Sequence, residues 1–187
     1  MCGRYTVFTR DEDSLMNKFL KQAGFIEPVS EIYPTNAAPI IMPFEGKITA
    51  RCAFWGFPLV NSSKPVINAC SESAVGKRFF SDALYHRRCV IPATGFFEWS
   101  RVTKDKFIFT PRSSDVMYMA GAYNVYGAVK RFVIFTRPAD EDVSDVHNRM
   151  PVLIEHVNVR EYLLGADYFE DAFILPPPAL TRELVSS

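Results

Sequence analysis

Four runs of strand length, CVIPATGFFEWS (89–100), DKFIFTPR (105–112), VMYMAGAYNVY (116–126) and RFVIFTRPA (131–139), follow one another with only short charged or glycine-containing turns between them. β-Branched and aromatic residues dominate each run, which suits a pleated surface far better than a helix. Turns this short join antiparallel neighbours, because a parallel pair needs a long crossover. A fifth signal lies upstream. APIIMPFEGKITARCAFWGF (38–57) holds two further runs around Glu45 and Gly46, a turn-forming pair that predicts a hairpin.

Helical periodicity is confined to three places. In TRDEDSLMNKFLKQAG (9–24) Thr9 reads as the N-cap, Glu12 completes a capping box, Leu15, Met16, Phe19 and Leu20 share one side, and Gly24 ends the helix. ESAVGKRFFSDALYHR (72–87) reads as a second helix weakened by Gly76, and NVREYLLG (158–165) as a third with Asn158 as cap. KPVINACSES (64–73) is a short strand entering a polar turn, HNRMPVLIE (147–155) leads into a last strand, and the proline-rich tail from Leu175 reads as irregular. The expected fold class is α+β: a mainly antiparallel, curved or barrel-like β core with about three peripheral helices, in one domain over residues 1–187.

The 21 basic and 21 acidic residues cancel, so no global field draws the chain to nucleic acid or to an anionic membrane. No apolar run approaches the roughly 18 to 20 residues a spanning helix needs, and residues 1–30 hold no secretory h-region. The expected location is the cytoplasm. The four cysteines, Cys2, Cys52, Cys70 and Cys89, lie far apart without a CxxC pair, which argues against both a zinc site and a disulfide framework. Cys52 and Cys89 read as small buried hydrophobes, and neither metal nor cofactor is expected.

MCGRYTVF opens the chain. Removal of Met1 would leave Cys2 with a free α-amine beside its thiol, a pair that closes on an aldehyde carbon as a thiazolidine. An α-amine of pKa about 7.7 to 8.0 is partly neutral at physiological pH, unlike an ordinary lysine. CGRY at the start, FWG at 54–56, INACSE at 67–72, RRCVIPATGFFEW at 87–99 and VHNRMPVLI at 146–154 resemble, in order and spacing, the motifs of the SOS-response-associated peptidase (SRAP) family. That resemblance spans about residues 2 to 154. It implies the SRAP fold, covalent capture of abasic sites in single-stranded DNA through Cys2, and autoproteolytic peptidase chemistry at the same residues. By the same resemblance Asn68 orients, Glu98 is acid and base, and His147 is a second proton handler. Arg4 and Arg149 contact phosphate, Asn36 is a lesser member of the pocket, and Trp55, with Phe97 and Trp99, is a stacking candidate.

The chain departs from the family pattern in three places. Cys70 stands where relatives carry arginine, FPLVNSSKP (57–65) lacks the tryptophans of a DNA wedge, and LPPPALTRELVSS (175–187) lacks the closing strand sequence. Lost phosphate contacts would lower DNA affinity and its salt dependence. Two other readings stay open: an N-terminal-nucleophile amidohydrolase, whose members also begin MCG, and a non-catalytic single-stranded-DNA-binding domain. The expected partner is single-stranded DNA bearing an abasic site, bound by a monomer that touches no membrane and is nucleoid-associated if bacterial.

Overall fold

The structure is a computed structural model that describes residues 3–26, 29–166 and 168–185. In chain order the first half holds β1 (Tyr5–Thr6), α1 (Leu15–Gln22), β2 (Glu31–Ile32), β3 (Ala37–Phe44), β4 (Lys47–Trp55), β5 (Phe57–Leu59), β6 (Ser62–Val66), β7 (Asn68–Cys70), α2 (Ser71–Ala74) and α3 (Arg78–His86). The second half holds β8 (Arg88–Ala93), β9 (Gly95–Trp99), β10 (Lys106–Pro111), β11 (Met117–Tyr126), β12 (Val129–Pro138), β13 (Arg149–Pro151), β14 (Leu153–Ile154), α4 (Val159–Leu164), α5 (Tyr168–Ile174) and β15 (Leu180–Leu184).

The expected hairpin forms β3 and β4, with Phe44 opposite Lys47. Its two turn residues both take positive φ, Glu45 at 48° and Gly46 at 73°, the pair of angles that matches the twist of a tight hairpin. β4 then pairs with β12, β12 with β11, β11 with β8, and β8 with β3. That ring closes a five-stranded barrel. Closure needs one parallel contact, Arg131 opposite Phe54, and β7 also runs parallel to β12, so antiparallel pairing is the rule with two exceptions. Gly121 of β11 sits where a Cβ would come within 2.4 Å of Ile91 Cδ1 and 2.6 Å of the Val133 carbonyl oxygen, so the barrel wall has no room there for a side chain.

The run 89–100 is split between two sheets. β8 belongs to the barrel, whereas β9 joins a second sheet in the order β15, β10, β9, β1, β2. Tyr5 of β1 meets Trp55 of β4 edge to face at 5.2 Å between ring centroids. Phe96 and Phe109 are buried in the same core as the barrel residues Val90, Met119 and Ile134.

Several local readings are corrected. The N-cap of α1 is Ser14, whose hydroxyl accepts from Asn17 N–H at 3.2 Å; the Thr9 hydroxyl instead accepts from Asp11 N–H and shapes the preceding turn. Short polar side chains from Thr9 to Ser14 bond nearby backbone and so hold off the helix. Residues 72–87 form two helices rather than one, because Lys77 after Gly76 is extended. Asn158 precedes α4 without a side-chain capping bond, since a 3₁₀ turn over His156–Asn158 already leads into that helix. With α5 there are five α-helices among the described residues. The tail is not irregular throughout: beyond its prolines, β15 pairs antiparallel with β10, Leu180 opposite Pro111. Cys89 is buried as expected, but Cys52 is exposed, because it points out of the barrel wall while Ala53 points in. No helix among the described residues is long and apolar enough to cross a membrane.

Candidate functional site

Strand alternation on β9 decides where its side chains go. Phe97 and Trp99 share one face, under the side chains of Arg4 and Lys106, whereas Glu98 points to the opposite face with Phe96. Glu98 is only 3% exposed. Burial is the largest cause that lifts its carboxyl from the usual range to about 7, so at neutral pH it can both give and take a proton.

His147 ends the turn that follows Ala139. Its backbone N–H donates to Val143 O at 3.0 Å, and its ring Nδ1 accepts from Arg149 N–H at 3.0 Å. Nδ1 also lies 3.2 Å from Arg149 O, to which it donates when it carries the ring proton. Burial first, and then neighbouring positive charge, lowers its pKa and favours the neutral ring.

β12 gathers the remaining groups around Thr136. On one flank Thr136 lies opposite Cys70 of β7, with Asn68 opposite Ile134; on the other it lies opposite Pro151 of β13. From β13 the Arg149 guanidinium reaches back across this strand, donating to Thr136 Oγ1 at 3.1 Å and to both carboxylate oxygens of Glu72, one of them at 2.9 Å. The hydrogen bond to Arg149 is the main reason the Glu72 carboxyl lies below its usual range. His147 and Arg149 thus lie at the Pro138 end of β12, with Asn68 on its other flank, opposite Ile134. The β9 segment is tied to them by Arg101 N–H, which donates to Val146 O at 3.3 Å.

Other expected site residues lie elsewhere. Arg4 is on the face of β9 opposite to Glu98, 3.4 Å from Glu31 and 4.4 Å from the Tyr33 ring centroid. Asn36 is exposed, but its side-chain oxygen accepts from Tyr33 N–H at 3.0 Å and closes a turn. Trp55 as a base-stacking residue is a correction: at 0% exposure, with Tyr5 and Phe132 against it, its ring has no face for a ligand. Its indole N–H donates to Ile67 O at 2.9 Å, so it braces the strand just before Asn68. Cys2 lies outside the described residues. Glu72 and Thr136 were missed by sequence reasoning; Glu72 stood inside the INACSE motif, but a lone carboxylate there carries no sign of its distant partner.

Comparison with known proteins completes the picture. The family model of the SOS response associated peptidases (SRAP) matches residues 1–180. The chain belongs to the SRAP family. Among curated SRAP relatives it is 30% identical over 181 residues to the abasic site processing protein YoqW of Bacillus subtilis, covering 87% of this chain and 80% of that one. It is 29% identical to the abasic site processing protein YedK of Escherichia coli, covering 87% of this chain and 79% of the relative. A crystal structure of a Bordetella bronchiseptica protein superposes with a TM-score of 0.79 at 23% identity over all of both chains, which shows the shared fold. Within this SRAP chain, the segment after FWG forms the small β5–β6 hairpin, with Val60 fully exposed at its tip.

Proposed function

We propose that this SRAP chain, as one domain, captures abasic sites in single-stranded DNA by forming a thiazolidine at Cys2. The observation that carries the reading is the pairing of β1 with β9. Tyr5 faces Phe96, and Arg4 O accepts from Phe97 N–H at 2.9 Å. Continued two residues toward the N-terminus of β1, that register would set Gly3 across from Glu98. The names of the relatives YoqW and YedK, as abasic site processing proteins, support the same substrate.

The chemistry follows from the groups present. With Met1 removed, the neutral Cys2 amine adds to the aldehyde carbon of the ring-opened sugar. The carbinolamine loses its oxygen as water when a proton is delivered to it, which a Glu98 carboxyl with a pKa near 7 is suited to supply. His147 offers a ring N–H to the same oxygen. The thiol then adds across the C=N bond: sulfur bonds to the carbon, its proton ends on nitrogen, and one water is released in all. Asn68, on the strand next to β12, orients the sugar, and Arg4 and Arg149 serve phosphate. Removal of Met1 by the same residues is the peptidase part of the proposal.

The amidohydrolase alternative needs an αββα sandwich, which a barrel closed through β12 is not. The test is incubation of Met1-free protein with single-stranded DNA containing one abasic site. An adduct that survives a denaturing gel and disappears in Cys2→Ala is expected; no adduct, or one unchanged in Cys2→Ala, defeats the proposal.

A further inference from the structure

β15 is the outermost strand of its sheet among the described residues. At its two ends Arg112 N–H donates to Ala179 O at 3.0 Å and Val185 N–H donates to Lys106 O at 2.8 Å, so the odd-numbered residues of β15 spend their backbone groups on β10. The N–H and C=O of Leu180, Arg182 and Leu184 therefore point outward, where a further strand would lie.

Two side chains stand in for that strand at its first position. Asp142 Oδ2 accepts from Leu180 N–H at 2.9 Å, and Arg112 Nη2 donates to Leu180 O at 3.0 Å. Beyond Leu180 this cover stops: Arg182 and Leu184 are exposed, and no strand among the described residues meets their four outward backbone groups. An edge left in this state is a template for pairing with another chain.

Charge selects the kind of chain. The edge borders a cavity of about 410 Å3 whose wall holds Glu141, Asp142 and Asp145 against Arg112 and Arg182. Both guanidiniums are already engaged, Arg182 with Asp145 at 2.5 Å and Arg112 with Asp142 at 3.8 Å. On the other face of β15, Glu183 is exposed and stands opposite the apolar Ile108, so β10 brings it no cation. The surplus along the edge is negative. A second copy of β15 is disfavoured, because the antiparallel register that matches the four open groups of one copy to the four of the other sets Glu183 against Glu183, and like charges directly opposite destabilise a pair.

We propose that the Arg182–Leu184 edge of β15 is a docking site for an extended segment of a partner protein, added antiparallel as a sixth strand, with a lysine or arginine opposite Glu183 and an apolar residue opposite Leu184. Main-chain bonds to Arg182 and Leu184 hold the segment, and its alternate side chains give the selectivity. The site is independent of the DNA chemistry, and its test contains no DNA.

The probe is a fluorescein-labelled peptide of sequence TVKVT, read by anisotropy. Saturable binding is expected, weaker by about fivefold for TVEVT, whose glutamate replaces an attraction to Glu183 by a repulsion. N-methylation of both valines, whose N–H groups face Arg182 and Leu184, should abolish binding, whereas N-methylation of the lysine, whose N–H faces away, should leave it unchanged. Leu184→Pro removes one outward donor and no bond to β10, and should bind TVKVT about fivefold more weakly than Leu184→Ala, which keeps that donor. The absence of saturable binding, equal affinity for TVKVT and TVEVT, or binding that survives N-methylation of the valines overturns the proposal. So does a wild-type dimer in sedimentation that Leu184→Pro dissolves, which would make a second copy the occupant.

Discussion

Glu72 clasps Arg149 through both terminal guanidinium nitrogens, across 77 residues of chain. Nearly half of the Glu72 side chain is exposed, while Arg149 is largely covered and also bonded to Thr136. A guanidinium grips phosphate best by two parallel bonds, and the carboxylate already occupies the terminal pair.

Glu72→Gln should therefore raise affinity for single-stranded DNA by up to about fivefold, since an exposed pair of this kind is worth about 1 kcal/mol or less. Melting should show a stability loss of the same small size. The Glu72 carboxyl is lowered by its partner, so the pair's contribution is present at neutral pH and disappears as pH falls through that lowered value. Fluorescence anisotropy and thermal melts at pH 7 and pH 3 check both.

Glu98 should impose a bell on the pH dependence of adduct formation. The Cys2 amine must be neutral, which favours pH above about 7.7 to 8.0. Glu98 must be protonated to act as an acid, which favours pH below about 7. The rate should peak between these limits, and Glu98→Gln should be slow and lack the alkaline limb that Glu98 causes, measured as initial rates of gel-stable adduct from pH 5 to pH 9.

Stability should respond to the same carboxyl with the opposite sign from Glu72. The folded state holds the Glu98 proton up to about 7, whereas an unfolded chain releases it near 4.5. Between those values folding takes up a proton, so stability falls as pH rises through the window, by about 3 kcal/mol in all. Denaturant unfolding of Glu98→Gln at pH 8 should be displaced upward from the wild type by an amount of that order, and the difference should shrink toward pH 5.

Substitutions at two buried positions should act on the fold. Trp55→Ala should cost about 3 to 5 kcal/mol, as a large ring removed from a packed core. Trp55→Phe should cost less while losing the bond to Ile67 O. Gly121→Ala should cost about 1 to 3 kcal/mol, because its methyl would press on Ile91 and on the Val133 carbonyl in the wall of the barrel. Urea midpoints measure all three.

What could be read locally in the sequence is what local forces decide. The strand runs, the Glu45–Gly46 turn, the stop at Gly24 and the alternation that turns Glu98 away from Phe97 and Trp99 all depend on φ preferences and a two-residue period, and these the chain carries in every short stretch. The motifs around Asn68, Glu98 and His147 likewise pointed to one family before any contact was known.

Closure of the barrel is another matter, since it depends on β12 meeting β4 in parallel across some 77 positions, and no periodicity within either strand announces its partner. The same holds for Trp55, exposed or buried by where Tyr5 and Phe132 come to lie, and for Arg149, whose charge is met by a carboxylate that only folding brings near. The order of residues determined which segments become strands and which groups could do aminothiol chemistry. Tertiary structure alone decided which of those groups are buried, paired or open, because solvation and charge at each atom are set by neighbours distant in sequence.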